Sequence, residues 1–332
     1  PSEETLYQYQ NPVGSGGYKL DPANSNAQVI TLIRNDDFHL KDGDDFLYKV
    51  EKIKFMLFQE QNVAIYALLK GHIDILDSTV SSNYLSLFED REDIFVSNAD
   101  GIFTQTLVIN LNPATSEKND LRDLLGISDF RRAIALAINQ EELVSFVLNG
   151  AGKTVSAGLL SESLTDFYNP DADILRFDLE ERITEANLLL DNIVPDKDSE
   201  GYRLLDGNRI KYTILGTPGE QDVISRLQVQ LQRIGIEVEY KAKGSSPERT
   251  YIFNSKFDMT LQGVIFSLEN ADIMYRAHFV TLSQSSNYGR LTDSVLSSKI
   301  NEMRLSLNLN YKYELLQEIQ ELIALNYYKI PL

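Results

Sequence analysis

The sequence predicts an α/β protein, because segments with the two-residue period of strands alternate with segments that have the helical period of 3.6 residues. The alternation is clearest over residues 178–240, where a helix, a hairpin, a strand, a second helix and a further strand follow in turn. Composition agrees, since a chain of 332 residues with 43% hydrophobic content can bury a substantial core. That length favours two domains over one.

The N-terminal part of the chain is predicted to be rich in strands. The run Gly14-Ser-Gly-Gly-Tyr leads into a strand and the β-rich run 28–34 follows, which predicts a hairpin. Residues 49–58 alternate apolar and charged side chains as a half-buried strand does. A helix over 61–70 with Val63 and Ala67 inward, followed by a strand at 72–76, completes a predicted β-α-β unit.

Residues 128–150 predict two short capped helices. Ser128 is in position to cap the first, and Asn139 followed three residues later by Glu142 is typical of a second cap. Gly150 is expected to end the second helix. The side chains expected to face a core are those of Phe130, Ile134, Ala137, Ile138, Leu143, Val144, Phe146 and Val147.

The remaining elements are predicted from the same periods and from turn residues. The apolar strand at 102–112 ends in the polar run 114–120, where we place a domain boundary. Asp206-Gly207 is typical of a tight hairpin loop. The other predicted elements are helices at 178–191, 221–233, 292–303 and 312–327 and strands at 210–215, 236–240 and 259–262, with a loop from the last strand to Tyr288.

Charge and cysteine content exclude several functions. The 31 basic and 49 acidic residues give a net charge of −18, which repels phosphate backbones and anionic lipids, so we expect no nucleic acid partner. With no cysteine, disulfides, zinc thiolates and thiol nucleophiles are excluded. No apolar run approaches the roughly 20 residues that span a bilayer. We therefore expect membrane association only through an anchor upstream of this chain.

Enzyme and metal motifs are missing from the sequence. The three histidines, His39, His72 and His278, have no partner at a metal-ligand spacing, so we expect no metal and no cofactor. The glycine run at 14–17 lacks the spacing of a phosphate-binding loop, and the serine hydrolase motif is absent. Acidic runs such as 42–45 are expected to be solvated surface rather than catalytic pairs. We expect a protein that is not an enzyme.

Several segments, each weak alone, together resemble one protein family. They are 14–18 with 34–38, Ala67-Leu-Leu-Lys-Gly-His-Ile-Asp74, 128–150, Glu185-Ala-Asn-Leu-Leu-Leu190 and 231–238. In this order they resemble the family 5 extracellular solute-binding proteins, which are the oligopeptide, dipeptide and nickel receptors of ABC importers.

The resemblance implies a type II periplasmic-binding-protein-like fold with two lobes that close on a ligand. Residues 1–105 would then be part of an incomplete first lobe and 106–332 the second, with a hinge near 101–112. The chain is expected to be the large C-terminal part of a longer, extracytoplasmic and monomeric receptor. It would bind a peptide or other small solute and deliver it to the importer's permease subunits. The alternative is a ligand-sensing domain of a cytosolic transcription regulator with the same fold.

The resemblance also implies a binding site in the second lobe, formed by the entering strand and a loop at 263–271. Val264 occupies the position of the family's tryptophan. Ser267 occupies the position of the aspartate that pairs with the ammonium group of a peptide, and a serine can replace that charge-assisted bond only weakly. Glu269, two residues further on, is the candidate to supply the missing carboxylate. For Phe103, a position in the wall of the binding cleft and a position in the core are equally expected. For the loop at 263–271, contact with the ligand and a role as a simple connection between elements are equally expected. The predicted ligand-binding residues are Phe103, Gln105, Thr106, Val108, Val264, Phe266, Ser267 and Glu269.

Overall fold

The computed structural model of the chain forms two compact units, Pro1–Val80 and Ser81–Leu332. The residues that the structure describes are 12, 14–43, 45–78, 80, 82–97, 103–111, 119–162, 164, 167–172, 178–242, 257–265, 271–280 and 286–332. The two compact units meet between Val80 and Ser81, which lies before the lobe boundary expected between residues 105 and 106. That boundary and the hinge near 101–112 stay predictions.

Within its described residues the first unit contains two small antiparallel sheets and one α-helix. Its elements are β1 (Tyr18–Leu20), β2 (Val29–Arg34), β3 (Lys41–Asp42), β4 (Asp45–Phe46), β5 (Lys52–Met56) and α1 (Gln61–Leu69). Strand β2 pairs antiparallel with both β1 and β5, and β3 pairs with β4. The hairpin predicted from the glycine turn is therefore confirmed.

The predicted β-α-β unit is wrong in its last element. Helix α1 forms as expected and is followed by Gly71, whose φ of 70° suits a glycine. Residues 72–76 form no strand, and Ile75 is 79% exposed. Val63 is likewise exposed, and the helix buries Ala64, Ile65 and Ala67 instead. A short alternation of apolar residues predicts a strand only where a neighbouring strand and a covering layer are available.

The second unit alternates helices and strands. Its elements are β6 (Phe103–Ile109), α2 (Asn119–Gly126), α3 (Ser128–Ala137), α4 (Gln140–Phe146), α5 (Leu179–Asp191), β7 (Leu204–Leu205), β8 (Asn208–Arg209), β9 (Lys211–Gly216), α6 (Gln221–Gln232), β10 (Glu237–Ala242), β11 (Met259–Ile265), α7 (Ala271–Phe279), α8 (Ser294–Leu305), α9 (Leu309–Asn326) and β12 (Lys329–Pro331). Strands β7 and β8 form the hairpin predicted from Asp206-Gly207, and both residues have positive φ as its turn requires.

A mixed five-stranded sheet with the order β10-β9-β11-β6-β12 organises this unit. Strand β9 is parallel to β10 and to β11, whereas β6 is antiparallel to β11 and to β12. The helix between β9 and β10 makes the crossover that parallel neighbours need. The sheet therefore changes from parallel to antiparallel pairing between β11 and β6.

Both faces of the sheet are covered by helices. On one face, Leu107 and Leu261 join a buried cluster with side chains of α3, α5 and α6. On the other, Val108 and Val264 join a cluster with side chains of α7, α8 and α9. Alternate residues of the same strands enter opposite clusters because a strand has a period of two. The result is a three-layered α/β/α unit.

The helix caps differ in part from the prediction. Ser128 is the first residue of α3 rather than its cap, and Ile127 takes the cap position without a side-chain bond. Asn139 caps α4 as predicted, its side chain accepting the Glu142 N–H at 3.2 Å. The reciprocal bond of a capping box comes instead from α6, where Gln230 Oε1 accepts the Asn139 backbone N–H at 3.1 Å. Gln230 thereby ties the start of α4 to α6.

Two helices lie where loops were expected. Helix α2 overlaps the end of the predicted polar loop, and α7 lies in the predicted loop before Tyr288. In α7 the buried side chains Ala271, Tyr275 and Phe279 recur every fourth residue, which is the spacing of one helical face. Phe146, expected in the core, is 63% exposed and stacks with Arg226 of α6.

Candidate functional site

The ends of β6 and β11 place several predicted binding residues side by side. In the antiparallel register Phe103 lies opposite Ile265, and Gln105 lies opposite Gly263. Directly opposed residues share one face of a sheet, so these four residues form a single surface. Further along the same face Leu107 and Leu261 are buried under helices, whereas Phe103 and Ile265 at this end are exposed.

Two apolar side chains dominate this end of the face. Phe103 is 57% exposed and Ile265 is 50% exposed. The Phe103 ring lies across Gly263, where an added Cβ would stand 2.2 Å from Phe103 Cε2. Gly263 therefore allows the aromatic ring to lie flat over the neighbouring strand, and any larger residue would displace it.

A polar pair borders the apolar surface. Gln105 Nε2 donates to Glu220 Oε1 at 2.9 Å. The other oxygen of Glu220 accepts from the backbone N–H and the hydroxyl of Thr217, at 2.7 and 2.8 Å. These bonds fix the carboxylate at the turn between β9 and α6. We call Phe103, Gln105, Glu220, Gly263 and Ile265 the open strand face.

This position is favoured for ligand binding in α/β proteins. Strands β9 and β11 are parallel, so their carboxyl ends meet at the same edge of the sheet as Glu220, Gly263 and Ile265. Ligands of open α/β sheets bind outside the carboxyl ends of the strands, where the order of the strands changes direction. The open strand face combines an aromatic platform, an amide and a carboxylate at such an edge.

The other predicted site residues of β6 and β11 point to the opposite face. Thr106 and Val108 are fully buried, and Val264 is 1% exposed. The Thr106 hydroxyl donates to the Gln262 carbonyl at 2.8 Å, and the two valines belong to the apolar cluster beneath α7 to α9. In this arrangement these three side chains offer a ligand no accessible surface. Phe266, Ser267 and Glu269 lie outside the described residues.

A buried polar cluster lies behind the open strand face. Lys329 Nζ is 2.8 Å from Gln262 Oε1 and 2.7 Å from His278 Nδ1. Burial, together with the charge of Lys329, lowers the pKa of His278 to about 2. Burial also holds the pKa of Lys329 well below its ordinary value. His278 is therefore neutral, and the buried cluster supports the sheet rather than forming an accessible site.

Metal binding and membrane crossing have no visible basis in the described part of the chain. Its histidine and acidic side chains form no cluster of three or more that could hold a metal ion. Nor is any helix within these ranges both long enough and apolar enough to cross a bilayer.

Sequence reasoning missed Glu220, Ile265 and the Lys329 cluster. Glu220 had a local signal, because Thr217-Pro-Gly-Glu is a capping-box pattern at a helix start. Ile265 follows from the two-residue period, which puts it on the face of Phe103. Lys329 and His278 are 51 residues apart, and no local pattern joins them.

Several known proteins are similar to this chain in sequence or in structure. The oligopeptide-binding protein AppA of Bacillus subtilis is 26% identical over 241 residues, which cover 71% of this chain and 40% of AppA. A periplasmic oligopeptide-binding protein of Thermotoga maritima has a similar structure, with a TM-score of 0.79 at 23% identity over all of this chain and 63% of that one. NikZ of Campylobacter jejuni, solved with Ni(L-His), gives a TM-score of 0.75 at 20% identity, covering 98% of this chain and 62% of NikZ.

These structural likenesses confirm the predicted type II periplasmic-binding-protein fold. The chain spans less than two thirds of the length of each of these three proteins. The Bacillus and Thermotoga proteins are both named as oligopeptide-binding proteins. The family model described as "Bacterial extracellular solute-binding proteins, family 5 Middle" matches residues 2–285, and the chain therefore belongs to that family of solute-binding proteins.

Proposed function

We propose that this chain is the substrate-binding component of an ABC importer. It captures a peptide or other small solute between two lobes and delivers it to a membrane permease. Family membership and the open strand face support this proposal, because the face puts exposed apolar and polar side chains together at one end of β6 and β11. The location is extracytoplasmic, as for the family.

The chemistry of the open strand face suits a peptide. Phe103 and Ile265 can pack against an apolar side chain, while Gln105 and Glu220 can accept hydrogen bonds from amide or ammonium groups. Ligand sites of this kind combine a mainly apolar wall with a few placed polar groups. Glu220 also supplies negative charge at this edge, which favours a cationic group over an anionic one.

The loop from Phe266 to Glu269 belongs to the proposed site on the evidence of its sequence. Ser267 stands where peptide receptors of the family carry the aspartate that pairs with the ligand's ammonium. In this chain Glu269, and by position Glu220, would supply that carboxylate. AppA and NikZ are named for different cargo, an oligopeptide and a nickel complex, so the proposal admits solutes other than peptides.

Capture needs no covalent chemistry. A solute that contacts both lobes binds the closed form more tightly than the open form and so shifts the population toward closure. The closed receptor then presents one surface to the permease. The sensing domain of a transcription regulator is the weaker alternative, because the similar Thermotoga protein is named as part of an oligopeptide ABC transporter.

Native mass spectrometry of the full-length protein tests this function directly. Protein purified without denaturation should carry co-purified small molecules, with mass differences that match peptides. Titration calorimetry with a tetrapeptide library should then give heats of binding. Metal or sugar masses would contradict the peptide class, and the absence of any bound solute and any heat would contradict the receptor function.

Variants of the open strand face test the site. We expect Phe103→Ala to weaken the tightest tetrapeptide about tenfold, because a stacked aromatic side chain contributes on the order of 1.4 kcal/mol. Val229→Ala is the matched control, since Val229 is similarly exposed, at 54%, but lies on α6 away from this face. Equal affinities of the two variants would remove Phe103 from the site.

A further inference from the structure

An aromatic ring and a carboxylate lie beside each other on the open strand face. Gln105 is on β6 and Glu220 follows β9, and β11 lies between these two strands in the sheet. Because Gln105 Nε2 donates to Glu220 Oε1 at 2.9 Å, the two side chains meet above β11. The residue of β11 opposite Gln105 is Gly263, the same glycine that the Phe103 ring covers. The Phe103 ring and the Glu220 carboxylate are therefore neighbours above Gly263.

The Phe103 ring presents one of its faces to solvent. One side of the ring lies against Gly263, yet the residue is 57% exposed, so the opposite side of the ring is accessible. Ile265, directly across from Phe103 on β11, is half exposed and extends the apolar surface. A ligand group placed here contacts the electron-rich face of the ring, which attracts cations.

The Glu220 carboxylate brings negative charge to the same place. The backbone N–H and hydroxyl of Thr217 and the amide of Gln105 are neutral donors, so their bonds fix the carboxylate without cancelling its charge. An apolar ligand group laid over the carboxylate would remove water from it and give no bond in return, which costs free energy. An anionic group would be repelled by Glu220 and by the net charge of −18 on the chain.

We propose that the open strand face is a subsite for the guanidinium group of an arginine side chain in the bound peptide. This inference rests on the proposed function and names the side chain that the face selects. The planar guanidinium stacks on Phe103 and donates sideways to the Glu220 carboxylate, while the methylene stem packs against Ile265. A lysine ammonium carries the same charge but cannot stack flat on a ring.

Titration calorimetry of the full-length protein with matched tetrapeptides tests the subsite. Each peptide is tetra-alanine with one replacement, by arginine, citrulline, lysine or leucine, at each position in turn. Citrulline has nearly the shape of arginine without its charge. At one position we expect the arginine peptide to bind about tenfold more tightly than the citrulline peptide, as for one charge-assisted bond with a cation–π contact. Its advantage over the lysine peptide should be about threefold.

Two variants locate the preference for arginine. Glu220→Gln keeps an oxygen that can accept from Thr217 but removes the charge, so the ratio of arginine to citrulline affinity should fall to about one. Asp222→Asn is the matched control, because it removes the same charge in the first turn of α6, where Asp222 lies beside Phe146 and Arg226. The control should keep the tenfold ratio. Circular dichroism checks that both variants are folded.

The unchanged protein alone can overturn the inference. Equal affinities of the arginine and citrulline peptides at every position would do so and would leave peptide capture intact. A leucine peptide that binds as tightly as the arginine peptide would assign the face to apolar side chains instead. A ratio that survives Glu220→Gln, or one that Asp222→Asn also abolishes, would remove Glu220 from the subsite. No heat from any peptide would contradict the peptide class of the proposed function, and the inference with it.

Discussion

The face of a strand on which a residue lies decides whether its side chain is accessible or buried. Gln105 and Thr106 are neighbours in β6, yet one bonds Glu220 at the open strand face while the other is fully buried. The two-residue period of a strand makes this alternation unavoidable. A contiguous run of candidate binding residues therefore cannot all contact one ligand from one face.

Two ionisable side chains are buried together in the second unit. Lys329 and His278 are both almost completely buried and contact each other. The pKa of His278 is about 2 in the folded protein and about 6.5 in an unfolded chain. Below pH 6.5 the unfolded chain therefore binds a proton at this ring that the folded protein does not. The stabilisation that results from a neutral His278 is present above pH 6.5 and is lost as the pH falls.

We predict that His278→Asn reduces the acid sensitivity of the fold. The asparagine amide can replace Nδ1 as a hydrogen-bond partner of Lys329, because it carries both a donor and an acceptor, but it does not titrate. Between about pH 6.5 and 4.5 the unchanged protein should lose about 2 kcal/mol more of its unfolding free energy than the variant does, at 1.36 kcal/mol for each pH unit. Urea unfolding at several pH values measures this difference. Parallel pH curves would show that His278 takes up its proton without unfolding.

Helices of the second unit are connected by side chains that bond the ends of other helices. Gln230 of α6 accepts from the Asn139 N–H, donates to the Asn139 carbonyl at 3.1 Å and donates to Glu142 Oε2 at 2.9 Å. Arg131 of α3 similarly donates to the Leu125 and Gly126 carbonyls of α2 and to the Asn326 carbonyl of α9. Each side chain bonds backbone groups at the ends of other helices, where the helical pattern leaves groups without an intrahelical partner, such as the Asn139 N–H.

We predict that Gln230→Leu destabilises the protein by about 2 kcal/mol, because the part-buried Asn139 N–H loses its partner, and the Asn139 carbonyl and the Glu142 carboxylate each lose a donor. Gln232→Leu is the control, since Gln232 lies two residues away in the same helix with its side chain exposed. That change should stay within about 0.5 kcal/mol. Urea unfolding of the two variants provides the comparison, and equal losses would mean that the bonds of Gln230 do not contribute.

At the scale of the whole molecule, the two compact units differ in how much core they contain. Both large buried clusters draw all their members from residues 107–330. In the first unit, Ile30 and Phe55 lie opposite each other on β2 and β5, and both are about half exposed. Stability is therefore concentrated in the second unit, because buried apolar area is its main source.

We predict that residues 81–332 fold without the first unit. The isolated segment should unfold in one cooperative urea transition and keep a near-ultraviolet circular dichroism spectrum, because both buried clusters are complete within it. A broad transition with strong dye binding to exposed apolar surface would contradict this expectation. Residues 1–80 alone serve as the comparison, and we expect them to show no cooperative transition.

The sequence by itself determined the fold class, most of the elements and the family. Periodicity was sufficient for the hairpin at Asp206-Gly207 and for α5 and α6, because turn residues and helix caps act within a few positions of the chain. It failed at 72–76 and at α7, where the outcome depends on the surface that covers the segment. For the candidate site, the sequence predicted Phe103 and Gln105, which the structure places together at the sheet edge.

Only the tertiary structure decided which predicted residues share a surface and which residues join them. Thr106, Val108 and Val264 face a covered side of the sheet because helices α7 to α9 pack there. Glu220 reaches Gln105 across 115 positions of sequence, and Lys329 reaches His278 across 51. Such contacts follow from the order of strands and the placement of helices, which long-range packing sets and local pattern does not specify.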